Sequence, residues 1–299
     1  MLCFITLFSL GLVNEAKATE RLKLLIITSN SSKSYESVIS AARKELPENT
    51  RVTTIRLDRD NFQREAIEEQ DFVLSLGVLA AQTLNRHSLD MPMLFALLPK
   101  SSYESYRLGT KTSAIFLDQP ISRQLNLLAI SMPERKSIGL LSSDPTDSRL
   151  VDIESMAALM KLKVEKEVVS EPKYLIEKLQ HILMKSDVYL SLPDPKLINR
   201  FSVQQVLLRS YRSKIPVIGF SKAFVRAGAT LAVYSTPDQI GTQAGEEISK
   251  FLKNPKRYRP TSKYPKYFSV RVNRKVAESL RIAIPIESKL VRQLREHEK

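Results

Sequence analysis

DFVLSLGVLAAQTL, Asp71–Leu84, holds a short apolar run, then a glycine, then apolar residues at helical spacing. The run Asp71–Leu76 is too short for a helix and too uniformly apolar for an edge strand, so it predicts a buried strand. Gly77 then opens a helix over Val78–Asn85. Further along, DVYLSL (Asp187–Leu192) repeats the cadence, and each run is followed by a helix and a proline-led strand, at Pro92 and Pro216.

Outward from these two runs the chain alternates strand and helix. Strands are predicted at 22–29, 51–57, 91–98 and 113–117, then at 137–141, 163–169, 216–220 and 230–234. Helices are predicted at 33–46, 62–69, 121–131, 147–161, 173–185, 199–213 and 238–252. Strict alternation implies parallel sheets covered by helices on both faces. Two successive sets of about five such units give the fold class: α/β, with two doubly wound parallel-sheet lobes. The length of 299 residues suits two domains.

Composition removes many function classes. Hydrophobic residues at 43% and charged residues at 26% exclude a disordered, collagen-like or polytopic membrane chain. Cys3 is the only cysteine, which excludes a disulfide framework, a cysteine zinc site and an iron–sulfur cluster. His87, His181 and His297 form no ligand-spaced set, so no metal or cofactor is expected. No phosphate-cradling GxxxxGK[ST] loop, GxGxxG turn, GxSxG elbow or HExxH motif occurs. Without a nucleophile–base constellation the chain reads as a non-enzyme. The net charge of +14 is spread along the chain among acidic neighbours. It reads as a solvated basic surface, and no nucleic-acid partner is expected.

Leu2–Val13 is an uncharged apolar run, too short to span a bilayer but suited to the core of a secretory leader. Ala16 and Ala18 place small residues where a leader is cut, so cleavage is expected after Ala18, giving 1–18 as signal peptide. No Lys or Arg precedes the run. Cys3 would leave with the leader, and no cysteine is placed for lipid anchoring. A soluble, unanchored product implies an enclosed compartment, the periplasm.

In doubly wound sheets, ligands bind beyond the carboxyl ends of the strands. The residues there define the candidate ligand-binding set: Ser29, Ser31, Ser75, Gly77, Phe95, Ala96, Asp118, Ser142, Asp194, Phe220, Ser221 and Tyr234. Hydroxyls and single carboxylates suit a small polar or zwitterionic molecule held between the lobes. Gly77 permits close backbone approach next to helix N-terminal amides. Asp194 reads equally as a ligand contact or a helix cap, and Asp118 as a hinge, cap or binding residue. The rings of Phe95, Phe220 and Tyr234 suit either stacking or core. Asn273 is expected to cap a helix over 274–280.

Five stretches carry a family resemblance in order: SLGVLAAQTL (Ser75–Leu84), MPMLFALLP (Met91–Pro99), QLNLLAISMPERKSIGLL (Gln124–Leu141), the segment Lys214–Pro255 around VRAGATLAVYS, and VRVNRKVAESLRIAIP (Val270–Pro285). In these the chain resembles the ABC-transporter substrate-binding proteins of the type I periplasmic-binding fold, in the branch that includes binders of aromatic amino acids. The sequence departs from that family at Leu97–Lys100 and at Pro193–Lys196, where Asp-Pro and a small polar turn are usual. The resemblance implies two lobes joined by a hinge. The first would comprise 19–119 with a returning segment near 238–270, and the second 120–237 with 271–299. It implies a monomeric periplasmic protein that closes on a small molecule and hands it to a membrane permease. A sensor or adaptor reporting to a membrane partner is the alternative.

Overall fold

The computed structural model describes residues 22–60, 64–194 and 196–298. The expected leader and its cleavage site lie outside the described residues. The first sheet holds β1 (Lys23–Thr28), β2 (Arg51–Arg56), β3 (Phe72–Leu76), β4 (Met93–Leu98) and β5 (Thr112–Phe116), in the order β2-β1-β3-β4-β5 and all parallel. Every residue of β3 is buried, as its unbroken apolar run requires. β2 lies at the edge and has no fully buried residue.

The second sheet holds β6 (Ser137–Ser142), β7 (Lys163–Val168), β8 (Val188–Leu190), β9 (Val217–Gly219), β10 (Leu231–Tyr234) and β11 (Ser269–Val272), in the order β11-β10-β9-β8-β6-β7. Five of its strands are parallel, and β11 is an antiparallel edge strand in register Leu231↔Val272 to Tyr234↔Ser269. Strict alternation does not anticipate this strand. β11 arrives from the other lobe instead of over a helix on its own sheet, so no crossover forces it parallel.

Helices α1 (Lys33–Glu45), α2 (Glu65–Glu68), α3 (Val78–Arg86) and α4 (Lys100–Glu104) accompany the first sheet. The second is covered by α5 (Ile121–Ser131), α6 (Ser148–Leu159), α7 (Leu175–Lys185), α8 (Arg200–Arg212), α9 (Lys222–Ala227), α11 (Arg274–Ser279) and α12 (Glu287–Glu296). The long α10 (Pro237–Lys253) follows β10 in the chain yet joins the core of the first lobe. Gly241 and Gly245 set its position: a Cβ at either would strike the backbone carbonyl of Val38 or Ala42 on α1. Two glycines one turn apart thus let two helix backbones meet. Lys263 then bridges to Ile115 beside β5 before the chain re-enters the second sheet at Ser269.

The repeated cadence has a shared physical role. Asp71 accepts from the Lys23 amide at 2.7 Å. Asp187 accepts from the amides of Lys136 and Ser137 at 2.9 and 3.0 Å. In each lobe the aspartate before the buried strand secures the start of the neighbouring one.

Among the described residues no helix is long and apolar enough to cross a membrane.

Candidate functional site

The order β2-β1-β3-β4-β5 reverses direction between β1 and β3, and the second sheet reverses between β6 and β8. The carboxyl ends of those strand pairs are the places where a doubly wound sheet opens a crevice. Ser29, Ser75 and Gly77 stand at the first reversal, and Ser142 and Asp194 at the second.

At the first reversal, Gly77 has φ +90°, left-handed backbone that disfavours a side chain. A Cβ there would also collide with the Tyr35 hydroxyl and Ser29 Oγ. Ser29 Oγ donates to the Leu76 carbonyl at 3.1 Å and accepts from the Ala80 amide at 3.0 Å. It therefore caps α3, which glycine cannot do for itself. Ser75 is buried, and its Oγ has no hydrogen-bond partner. Ser31 is exposed and clasps Asp58 through its amide and hydroxyl, at 3.1 and 3.2 Å. Phe95 and Ala96 are wholly enclosed, Phe95 with its ring centroid 5.7 Å from that of Tyr103.

At the second reversal, Ser142 Oγ donates to the Asp144 carbonyl and accepts from its amide. Asp194 accepts from the Ser143 amide at 2.8 Å, from the Ser143 hydroxyl at 3.0 Å and from the Lys196 amide at 2.9 Å. Its carboxylate ties two loops together and caps no helix, since Asn199 caps α8. Ser221 caps α9 by accepting from the Phe224 amide at 3.1 Å. Phe220 packs on Phe224 at 5.0 Å, and Tyr234 is half-buried in the same lobe's core. Burial raises the Tyr234 phenol above its ordinary value.

Asp118 stands where the chain leaves the first lobe. Its Oδ2 accepts from the Lys100 amide at 2.6 Å, while its buried Oδ1 has no hydrogen-bond partner. Oδ1 lies 3.6 Å from the Arg149 guanidinium of α6, so the pair spans the two lobes. Burial raises the Asp118 carboxyl above the usual carboxylate range, against the opposing pull of the Lys100 amide and Arg149. Arg149 is itself fixed by Asp147 at 2.6 Å and by the Pro193 carbonyl at 3.0 Å.

Three crossings join the lobes, and side chains bind them to one another. Gln119 Nε2, on the first, donates to Ser235 Oγ on the second at 3.0 Å, and Ser235 Oγ donates to the Tyr267 carbonyl on the third at 2.6 Å. Arg123, almost wholly buried, donates to Gln119 Oε1 at 2.6 Å and to the Pro265 carbonyl at 2.9 Å. It pairs with Glu298 and lies over the Phe268 ring, 4.0 Å from its centroid. A small interlobe pocket beside this cluster is lined by Leu117, Asp118, Gln124, Pro193, Phe220 and Val233.

The structure thus brings Asp118 and Phe220 to one pocket and leaves Phe95 and Ala96 in the core. Sequence reasoning placed Gln119 just beyond a strand but outside the candidate set, and it missed Arg149, Arg123 and Tyr35. One signal for Arg149 was available: a cation in the first turn opposes the helix dipole and needs a carboxylate beside it. It also missed Val78, Leu79 and Leu117, exposed by 38%, 46% and 40%, which give the first lobe's side of the crevice an apolar surface.

Two doubly wound lobes with a crevice at facing strand ends and a threefold crossing define the class of type I periplasmic-binding folds. The sequence profile of the family described as ABC transporter substrate binding protein matches residues 61–294, so the chain belongs to that family, a binding and not a catalytic class. A substrate-binding protein with adhesive properties from Clostridium difficile, in its ligand-free open form, is 18% identical with a TM-score of 0.71, covering 88% of this chain and 96% of its own. The ABC domain from Streptococcus pneumonia in complex with L-Trp is also 18% identical, with a TM-score of 0.63 over 91% of this chain and 98% of its own. At that identity the likeness concerns the fold. No curated protein sequence matches the chain.

Proposed function

We propose that the protein is the solute-binding component of an ABC importer, working in the periplasm after removal of residues 1–18. It captures a small zwitterion with an apolar side group, of the amino-acid class, between its lobes and delivers it to a membrane permease as a monomer. The moving bodies are residues 22–116 with 237–264, and 121–234 with 268–298; the segments between them form the hinge.

The observation that carries this reading is Asp118: a buried carboxylate oxygen without a hydrogen-bond partner, in a pocket between the first crossing and the second lobe. Such an acceptor suits a ligand ammonium group. The α3 N-terminus beside Gly77 offers backbone amides to a carboxylate. Val78, Leu79 and Leu117 suit an apolar side group, in keeping with the L-Trp bound by the streptococcal neighbour. Among the sequence-derived candidates, Ser75, Gly77, Asp118 and Phe220 are proposed to meet the ligand. Ser29, Ser31, Ser142, Asp194 and Ser221 shape the loops around it.

A thermal-shift screen of residues 19–299 against amino acids, their analogues, nucleosides and small anions tests the reading. A ligand at 100 times its Kd adds about 2.7 kcal/mol of stability. A concentration-dependent shift with an apolar amino acid is expected, and Asp118→Ala abolishes it. A folded protein that no solute shifts would overturn solute capture and favour the sensor or adaptor role.

A further inference from the structure

An apolar groove of about 780 Å³ lies between α8 and α9 in the second lobe. α8 is oriented unusually for a surface helix. It buries Ser202, Val206 and Ser210 towards the lobe and yet leaves Leu208 and Tyr211 exposed by 40% and 49%. The opposite wall is kept low by Ala223 and Ala227, exposed residues one helical turn apart on α9. The rings of Phe220 and Phe224, 5.0 Å apart, line it from within.

The groove is polar at one end and apolar at the other. Asn199, Arg200, Gln204 and Ser221 cluster where both helices begin. Leu207, Leu208, Tyr211 and Val276 line the far end, closed where Gly228 approaches Leu207. Capping engages the Asn199 side-chain oxygen and the Ser221 oxygen as acceptors. That leaves the Asn199 NH2 and the Ser221 O–H to donate. The segment that supplies every lining residue but Val276, Pro195 to Pro237, has seven Lys and Arg residues and no Asp or Glu. Apart from Arg200, no lining side chain is charged.

We propose that this groove, which adjoins the interlobe pocket at Phe220 and runs away from it between α8 and α9, is a second binding site for a free single-chain carboxylate amphiphile of the fatty-acid class. The carboxylate meets Arg200, Asn199 and Ser221, and the alkyl chain lies along Leu207, Leu208 and Tyr211. A partner helix would need polarity around its axis, whereas this groove has polarity along its length. A membrane surface would need apolar groups protruding on every side, whereas the low alanine wall of α9 leaves an open trough beside α8. The 780 Å³ volume lies within the usual range of small-molecule sites.

Calorimetric titration with sodium dodecanoate below its micelle concentration tests the site. One dodecanoate per chain is expected, with decanoate about fifteenfold weaker, since each methylene contributes about fourfold. Arg200→Glu weakens dodecanoate at least tenfold and leaves dodecanol unchanged. Ala227→Trp fills the hollow from an exposed position and removes both; Leu208→Gln is the second variant should Ala227→Trp misfold. Equal binding of dodecanoate and dodecyltrimethylammonium, uptake of many chains per protein, or indifference to both groove variants overturns the proposal. So does binding to phosphatidylglycerol vesicles that survives Ala227→Trp, which would assign the face to a membrane. Arg200, Ala227 and Leu208 lie outside the lining of the interlobe pocket, so these variants report on the groove and not on what that pocket binds.

Discussion

Asp118 carries a conflict that its surroundings only half resolve. One oxygen accepts from the Lys100 amide, while the other lies buried and 3.6 Å from Arg149. Burial raises its folded pKa above the unfolded value of about 3.9. The proton is thus held more tightly in the native state. The stabilisation is fully present below the unfolded pKa and is lost as pH rises through the folded one. Asp118→Asn removes that loss, and Arg149 keeps its fork on Asp147. Thermal melts should therefore show the variant gaining on the wild type as pH rises from 4 to 7; a gain that shrinks over this range would contradict the account. Gly77 is the second sensitive position. Gly77→Ala forces a side chain into φ +90° and against Tyr35, so urea melts should show a loss of at least about 1–3 kcal/mol. The special role of Gly77 was legible from its place after a buried strand. That of Arg149 was legible only as a first-turn cation in want of a carboxylate, because its partners Pro193 and Asp118 come from distant parts of the chain.

At the scale of elements, the crossings behave as one cluster and Arg123 is its centre. Its guanidinium joins Gln119, the Pro265 carbonyl, Glu298 and the Phe268 ring. Arg123→Ala leaves Glu298 unpaired and three crossings loosened, and should cost about 3–5 kcal/mol in denaturant melts. Arg123→Lys should restore little, since an ammonium cannot reproduce the planar fork. A lysine variant as stable as wild type would show that charge alone holds the hinge. Most elements were legible because period and caps agree: Asn273 accepts from the Val276 amide at 3.2 Å, as its place before a helix predicts. Those missed have local reasons. α4 and α9 are five and six residues long, too short for periodicity to register. β8 was anticipated in DVYLSL and is shorter than expected, covering only Val188–Leu190, the extent over which it pairs with its neighbours. β11 pairs antiparallel through a topology that passes through the other lobe, which no local pattern encodes.

At the scale of the molecule, the two halves solve one problem twice. Asp71 and Asp187 anchor equivalent strand starts, and each sheet opens at its own reversal of strand order. The two-lobed plan was therefore legible from the repeated cadence, while the site between the lobes was legible only as a set of strand ends. The central claim is that the lobes close on a ligand. Cys3 is the only cysteine, so residues 19–299 offer a background free of thiols. Spin labels at Lys33→Cys and Ser148→Cys, exposed at the first turns of α1 and α6, report the distance across the crevice by pulsed electron resonance. The account predicts that a solute which stabilises the protein shortens and narrows this distance distribution, and that Asp118→Ala abolishes the change. An unchanged distance with a bound, stabilising solute would contradict closure and the function built on it.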